Sequence, residues 1–372
     1  MDRCNIWSIF SSMFGKSKPA WIILIVLAAG VKLFSLFPSA VEKYYSTGVY
    51  PMIARVQRLL FGWLPFSVGD IFYGLAGAWL LYGLGMLIRR SIRRQTGQAY
   101  FKAVLSNTVF VMLLVYVYFN LSWGLNYDRR GIAYQLQLNV QAYSTKELDT
   151  LLQQVITRLG STDSLAHLQR PALGPNSVVF DGAIDCYKVF SSQDVRFAYP
   201  SPSVKASLYG YLGDSLGFGG YYNPFTGEAQ VNTTMPVFVQ PYTTCHEIGH
   251  QLGYAKENEA NFAGYLAARQ SNVPAFQYSL YLDLYLYAAR ELYVRDSVLL
   301  QPFKARLPPS VKADFKELQR FNRRYENPFE PVIRKLYGGY LRANRQPQGM
   351  QTYNEVIAWL IAYGKKNGWE AI

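Results

Sequence analysis

Three stretches of the chain are apolar for long enough to cross a bilayer, whose core takes about 20 residues of helix. They run from about Pro19 to Phe37, from Ile71 to Ile88 and from Val104 to Leu121. The second and third carry no charged residue, which argues against their being buried helices of a soluble core. The first could instead be a signal peptide, since Pro38-Ser39-Ala40 resembles a cleavage site, but its apolar run is long for one and the other two spans would remain. From about Asn126 the pattern becomes that of a soluble domain. Thr145 to Leu159 has amphipathic helical spacing, with Ser144 or Thr145 as its cap. Gly, Pro, Asn and Ser then punctuate three short β-type runs, Ser177 to Phe180, Lys205 to Leu212 and Glu228 to Thr233. Helical spacing returns over Tyr242 to Tyr254, Glu257 to Gln270, Phe276 to Arg295, Val311 to Arg324, Glu330 to Asn344 and Tyr353 to Tyr363. The expected architecture is α+β, with residues 1–125 as an anchor of three transmembrane helices. Residues 126–372 would form a domain with a small sheet before a mainly helical C-terminal part.

Charge sets the expected orientation. The formal net charge is +13, yet only 16% of the residues are charged, against about a quarter in soluble proteins. Arg89, Arg90, Arg93, Arg94 and Lys102 cluster between the second and third spans, and Arg3, Lys16 and Lys18 precede the first. The positive-inside rule places both groups in the cytoplasm. Three spans then put everything after about Asn126 outside the cytoplasmic membrane, with Trp123 and Tyr127 at its interface. The other positive residues are scattered, with no basic run interleaved with aromatics, so the expected partner is the lipid bilayer and not nucleic acid. Cys4, Cys186 and Cys245 are too few for a disulfide framework. A Cys186–Cys245 bridge could form outside the cytoplasm, and two buried thiols are the plainer reading.

The chemistry concentrates in His246-Glu247-Ile248-Gly249-His250. Histidines four residues apart share one face of a helix and can share a metal, and the adjacent glutamate can then face a water on it. The only other histidine, His167, lies in a polar helix-to-loop region and reads as a surface residue. A hydrolytic zinc needs a third protein ligand and an open fourth position. Gly253 can end the motif helix with a left-handed residue and turn the chain back. A third histidine at the short HExxHxxGxxH spacing would fall on Lys256, which cannot ligate while protonated. Glu257 and Glu259 are the nearby carboxylates, although both would also suit a solvated helix start. Glu257-Asn258-Glu259-Ala260-Asn261 resembles the ExxA[DN] pattern of the glutamate-zincins. That resemblance implies Glu257 as the third ligand, with Glu259 as the alternative or as a support, and Asn261 as the brace of a motif histidine. In such a centre Glu247 takes a proton from the attacking water and passes it to the leaving amine. A tyrosine or arginine would complete it as oxyanion donor.

Beyond the motif, Trp123-Gly124-Leu125-Asn126-Tyr127, Tyr222 to Asn232 and His246 to Phe262 resemble a bacterial family of membrane proteins with three N-terminal spans and a zincin-like domain. Weaker similarity runs through Tyr340 to Asn344 and Gly349 to Tyr363. The resemblance implies a metallopeptidase-like fold and a Zn2+ cofactor. In zincins an edge strand before the motif helix grips an extended substrate. Glu228 to Thr233 is placed to be that strand, with Glu228 and Asn232 as substrate-binding candidates, and Tyr353 is the candidate oxyanion donor. The expected function is a membrane-anchored zinc metallopeptidase acting on a peptide or envelope protein. The alternatives are a non-catalytic sensor or scaffold with a structural zinc, and a zinc amidase acting on cell-wall peptides.

Overall fold

Uninterrupted apolar sequence gives two of the longest described helices. The computed structural model describes residues 17–349 and 355–372. In it α3 (Val68–Ile92) and α4 (Gln98–Ser122) have 25 residues each, and such a helix rises about 37 Å. Leu75, Leu80, Leu84, Leu105 and Met112 point outward without protein cover. Side chains of that kind are costly in water and at home in lipid. Both helices are long and apolar enough to cross a membrane.

The first expected span is different. Helix α1 (Lys18–Phe34) stops three residues short of the expected end, and the helical run that follows, Pro38–Phe61, leaves at 97°. Pro38 is the cause, because the residue before a proline is pushed out of the helical region. Phe37 accordingly has φ −114° and ψ 78°. Beyond the bend come a π-helical stretch, Val41–Val49, and then α2 (Tyr50–Phe61). The span expected over Pro19 to Phe37 thus becomes part of a bent pair of helices, which makes a third span if the pair crosses together.

The rest of the chain is mostly helical around one small sheet. Ser144 and Glu147 form a reciprocal capping box at the start of α5 (Thr145–Gln169); this helix runs through Gly160, ten residues beyond its expected end. The expected strand over Ser177 to Phe180 lies in α6 (Asn176–Ser191), where the extended Pro175 leads the chain into a helix that tolerates Val178 and Val179. Of Lys205 to Leu212, only the first residues form a strand, β1 (Val204–Ala206), and Gly210–Leu216 is helix α7. Strand β2 (Gly220–Asn223), which the sequence did not announce, and β3 (Glu228–Val231) complete a sheet of order β1-β3-β2. β1 pairs parallel and β2 antiparallel to β3. Helices α8 (Gln240–Gln251), α9 (Glu257–Ala268), α10 (Pro274–Arg295), α11 (Leu300–Arg306), α12 (Pro309–Tyr325), α13 (Glu330–Ala343) and α14 (Val356–Asn367) follow. The main core joins α5, α6, α8, α9, α10 and α14 through residues such as Leu152, Tyr187, Ile248, Phe262, Leu284 and Leu360. Cys186 and Cys245 are both buried and free.

A second cluster ties the membrane-side segments to that core. Val31, Val41, Tyr45, Tyr50, Trp123 and Tyr127 pack with Tyr222 and Ala255. Under them Arg129 forms a buried ion pair with Glu42, at 2.7 and 3.0 Å, and donates to Gly253 O at 3.0 Å. Gln135 and Gly131 N also donate to the Glu42 carboxylate. The anchor and the remainder therefore share one interior across the boundary expected at residue 125. Removing one member of a buried pair strands the other charge, which typically costs about 3–5 kcal/mol. Arg129→Ala is expected to lower unfolding stability by about that much in denaturant titrations in detergent. A loss below about 1 kcal/mol would show that the joint is not what the ion pair implies.

Candidate metal centre

Helices α8 and α9 approach backbone to backbone because their crossing is built of small residues. A Cβ on Gly264 would meet the His246 backbone N at 3.1 Å, and one on Gly249 would meet Ala260 O at 3.2 Å. Gly253, at φ +86°, ends the motif segment in the left-handed conformation that the sequence called for. The chain then reverses, so that the first residue of α9 faces the motif histidines.

The result is a convergent set. Glu257 Oε2 lies 3.3 Å from His246 Nε2 and 3.6 Å from His250 Nε2. Two atoms bound at about 2.0–2.1 Å to one tetrahedral zinc stand about 3.3 Å apart. The separations therefore fit a metal that is shared by both histidines and Glu257. Each imidazole is oriented through its other nitrogen: His246 Nδ1 is 2.7 Å from Asn261 Oδ1, and His250 Nδ1 is 2.8 Å from Tyr254 O. Both contacts place a hydrogen on Nδ1, which frees Nε2 of each ring to take a metal. Tyr337 OH donates to Glu257 Oε1 at 2.9 Å, which holds the other oxygen toward the rings.

Glu247 completes the set. His246, Glu247 and His250 are buried with ligand-capable atoms within 4.8 Å of one another, and among the described residues Glu247 Oε2 has no hydrogen-bond partner. Burial pushes the Glu247 carboxyl up to about 8, with Glu257 adding to the rise and His246 opposing it. Asp283, also desolvated and opposed by His246, is raised to about 7. Burial would raise Glu257 too, but His246 and His250 outweigh it and hold Glu257 well below the usual carboxylate range. A divalent cation among these groups would favour their ionised forms. The donor set, its spacing and the orphaned oxygen together fit zinc.

Other expected residues fall elsewhere. Glu259 is buried on the far side of α9 from the histidines, against Gly131 and 3.7 Å from Lys256 Nζ, where it belongs to the joint around Arg129. Glu228 is fully buried and accepts from Val68 N and Gly69 N at 3.2 and 2.6 Å. It caps the first turn of α3, where a carboxylate answers the free N–H groups and the dipole, and it is not open to a substrate. Asn232 donates to Gly210 O and Asp214 Oδ1 at 3.1 and 2.6 Å, which pins α7 to the sheet. Strand β3 is the middle strand, so the expected edge strand over Glu228 to Thr233 is corrected to β2. Tyr353 lies outside the described residues. His167 is half-buried and paired with Asp163 and Asp314 at 3.0 and 3.3 Å, away from the centre.

A cavity of about 820 Å³ opens over the set. Its lining includes Asp283, Tyr287 and Arg290 of α10, and Tyr337 and Tyr340 of α13. The α10 residues escaped the sequence reading, although their spacing of four and three marks one polar stripe on an otherwise apolar helix. Strand β2 lines the cavity as well. A Cβ on Gly220 would come within 2.6 Å of Glu247 Oε1, so only glycine lets the strand pass there.

Comparison with known sequences adds one relation. The profile described as "Protein of unknown function (DUF3810)" matches residues 45–361. The chain belongs to the DUF3810 family. The matched region begins beyond the bend at Pro38 and runs into α14, so it takes in the two long helices and the candidate centre, with Arg129 but not Glu42 of the joint. No curated protein and no solved structure matches the chain.

Metal analysis of purified variants tests the ligand set. Glu257→Gln and His250→Ala are expected to lose bound zinc, and Glu259→Gln to keep it. Asn261→Ala should weaken zinc binding about 10–100-fold in chelator competition. Retention in Glu257→Gln together with loss in Glu259→Gln would reverse the assignment.

Proposed function

We propose that the protein is a membrane-anchored, zinc-dependent peptidase with His246, His250 and Glu257 as ligands and Glu247 as general base. The observation that carries this reading is the unpartnered oxygen of buried Glu247 beside a three-ligand set with an open side toward the cavity. A structural zinc has no use for a desolvated carboxylate beside its ligands, whereas a hydrolytic one needs a base there. Bound zinc would supply an acidified water and polarise the scissile carbonyl.

The chain's own residues do the remainder. Glu247 takes the proton from the attacking water and delivers it to the departing amine. Asn261 and Tyr254 O keep both imidazoles in the ligating tautomer, and Tyr337 fixes the rotamer of Glu257. Arg290, Tyr287 and Tyr340 are the cavity donors available to a developing oxyanion. Because β2 is antiparallel to β3, with Asn232 N donating to Gly219 O, alternation turns the main-chain groups of Gly220 and Tyr222 outward. An extended peptide can pair with that edge and pass beside Glu247.

For orientation, the basic cluster Arg89 to Lys102 joins α3 to α4 at the ends remote from the centre. By the positive-inside rule those ends are cytoplasmic and the centre lies outside the cytoplasmic membrane.

Glu247→Gln is expected to keep zinc and lose peptide hydrolysis by about 10²–10⁴-fold. Full activity in that variant, or activity indifferent to chelator, would contradict the reading. Gly220→Ala should also keep zinc, with a fall in kcat of at least about tenfold as Glu247 is displaced; an unchanged kcat would remove β2 from the site.

A further inference from the structure

The metal cavity is not walled by the soluble part alone. Tyr73 of α3, Phe119 of α4 and Trp123, which follows α4, line it together with His246 and Glu257. These residues stand at the site-side ends of the two helices that are long and apolar enough to cross a bilayer.

Part of the opposite wall is α13, and this helix has three faces. Ile333, Tyr337 and Tyr340 turn to the cavity, with Tyr340 OH 3.1 Å from Tyr127 OH beyond the end of α4. Beside them, at spacings of three and four that keep side chains on one side, Phe329, Val332 and Leu336 are 71%, 56% and 70% exposed. Lys335 and Arg342 lie beyond that apolar stripe. Helix α7 packs beside α13; its Tyr211 and Leu212 are exposed, and its Ser215 O accepts from Asn327 Nδ2 at 2.7 Å. Leu208 N and Tyr209 OH, just before α7, bond to Asp70 in the first turn of α3 at 2.7 and 2.8 Å. Trp63 and Phe66, in the turn before α3, are exposed too.

An aligned apolar stripe flanked by cations, with aromatics at the mouth of a span, is the pattern of a helix lying in a membrane interface. We propose that α13 and α7 rest on the bilayer that α3 and α4 cross. The cavity then takes its substrate from that surface: a polypeptide segment held at the interface by its own membrane anchor. The substrate class rests on the peptidase reading above. Lipid is the occupant, and not a second copy, because the strip is tied to the end of a span and carries the cations that anionic headgroups attract.

Two measurements on the full chain in phosphatidylethanolamine–phosphatidylglycerol vesicles test this. In the first, Leu336→Cys on a Cys4→Ser background carries a nitroxide, and its collisions with oxygen and with a water-soluble nickel chelate are compared. Higher oxygen than nickel accessibility is expected. Higher nickel accessibility, or low accessibility to both as under a second copy, overturns the bilayer contact. In the second, one cleavable sequence is offered free or fused to a transmembrane helix. The anchored form should be cut with kcat/KM at least tenfold higher. Val332→Asp with Leu336→Asp should abolish that preference and leave cleavage of the free peptide unchanged. Equal rates for both forms overturn the substrate class. If neither form is cut, the peptidase reading fails, and the ratio of their affinities for the Glu247→Gln protein decides the substrate class by itself, while the nitroxide still decides the bilayer contact.

Discussion

The carbonyl end of α8 is buried, and the last carbonyls of any helix have no partner inside it. In this protein the donors come from the membrane-side segments. Tyr50 OH and Arg58 Nη1 reach Gln251 O at 2.8 and 3.4 Å, Trp123 Nε1 reaches His250 O at 3.1 Å, and Arg129 Nη1 reaches Gly253 O just beyond the helix. A buried carbonyl stripped of all its donors costs about 1–3 kcal/mol. The motif helix is consequently held by the bent helical run and by the exit of α4. The same residues also explain the bend at Pro38: a straight first span would carry Glu42, Tyr50 and Arg58 away from the helix they serve.

That arrangement lets the centre be polar, buried and still ordered. Two imidazoles and two carboxylates in contact would be costly without fixed partners, and among the described residues each ligand has one: Asn261 for His246, Tyr254 O for His250 and Tyr337 for Glu257. Glu247 is the exception. The members proposed to bind a metal are locked, and the member proposed to move a proton keeps an oxygen without a partner among the described residues, which is the division of labour that hydrolysis asks for.

Local spacing made part of this legible. The i, i+4 histidines, the turn at Gly253 and the run from Glu257 to Asn261 lie within one helix–turn–helix, so their sequence distances become spatial ones. Non-local pairing hid the rest. Nothing in Glu228 to Thr233 tells that β3 is flanked on both sides, or that Glu228 reaches across about 160 residues to cap Val68 and Gly69. Hydropathy sums apolarity and ignores direction, so the turn at Phe37-Pro38 passed inside a continuous apolar run. The stripe of Asp283, Tyr287 and Arg290 was masked by its apolar neighbours Leu280, Leu282 and Leu284. The bent first helix, the capped third and the aromatic exit of the fourth matter for the same reason: they bring membrane-side residues to the helix that carries the motif.

That interior is proposed to hold a tetrahedral zinc centre of two imidazoles and one carboxylate. X-ray absorption at the zinc edge of the full-length, zinc-loaded protein measures it directly. Four nitrogen or oxygen neighbours at about 2.0–2.1 Å, with the outer-shell signature of two imidazoles, are expected. A six-oxygen shell without imidazole, or a sulfur neighbour at about 2.3 Å, would contradict it.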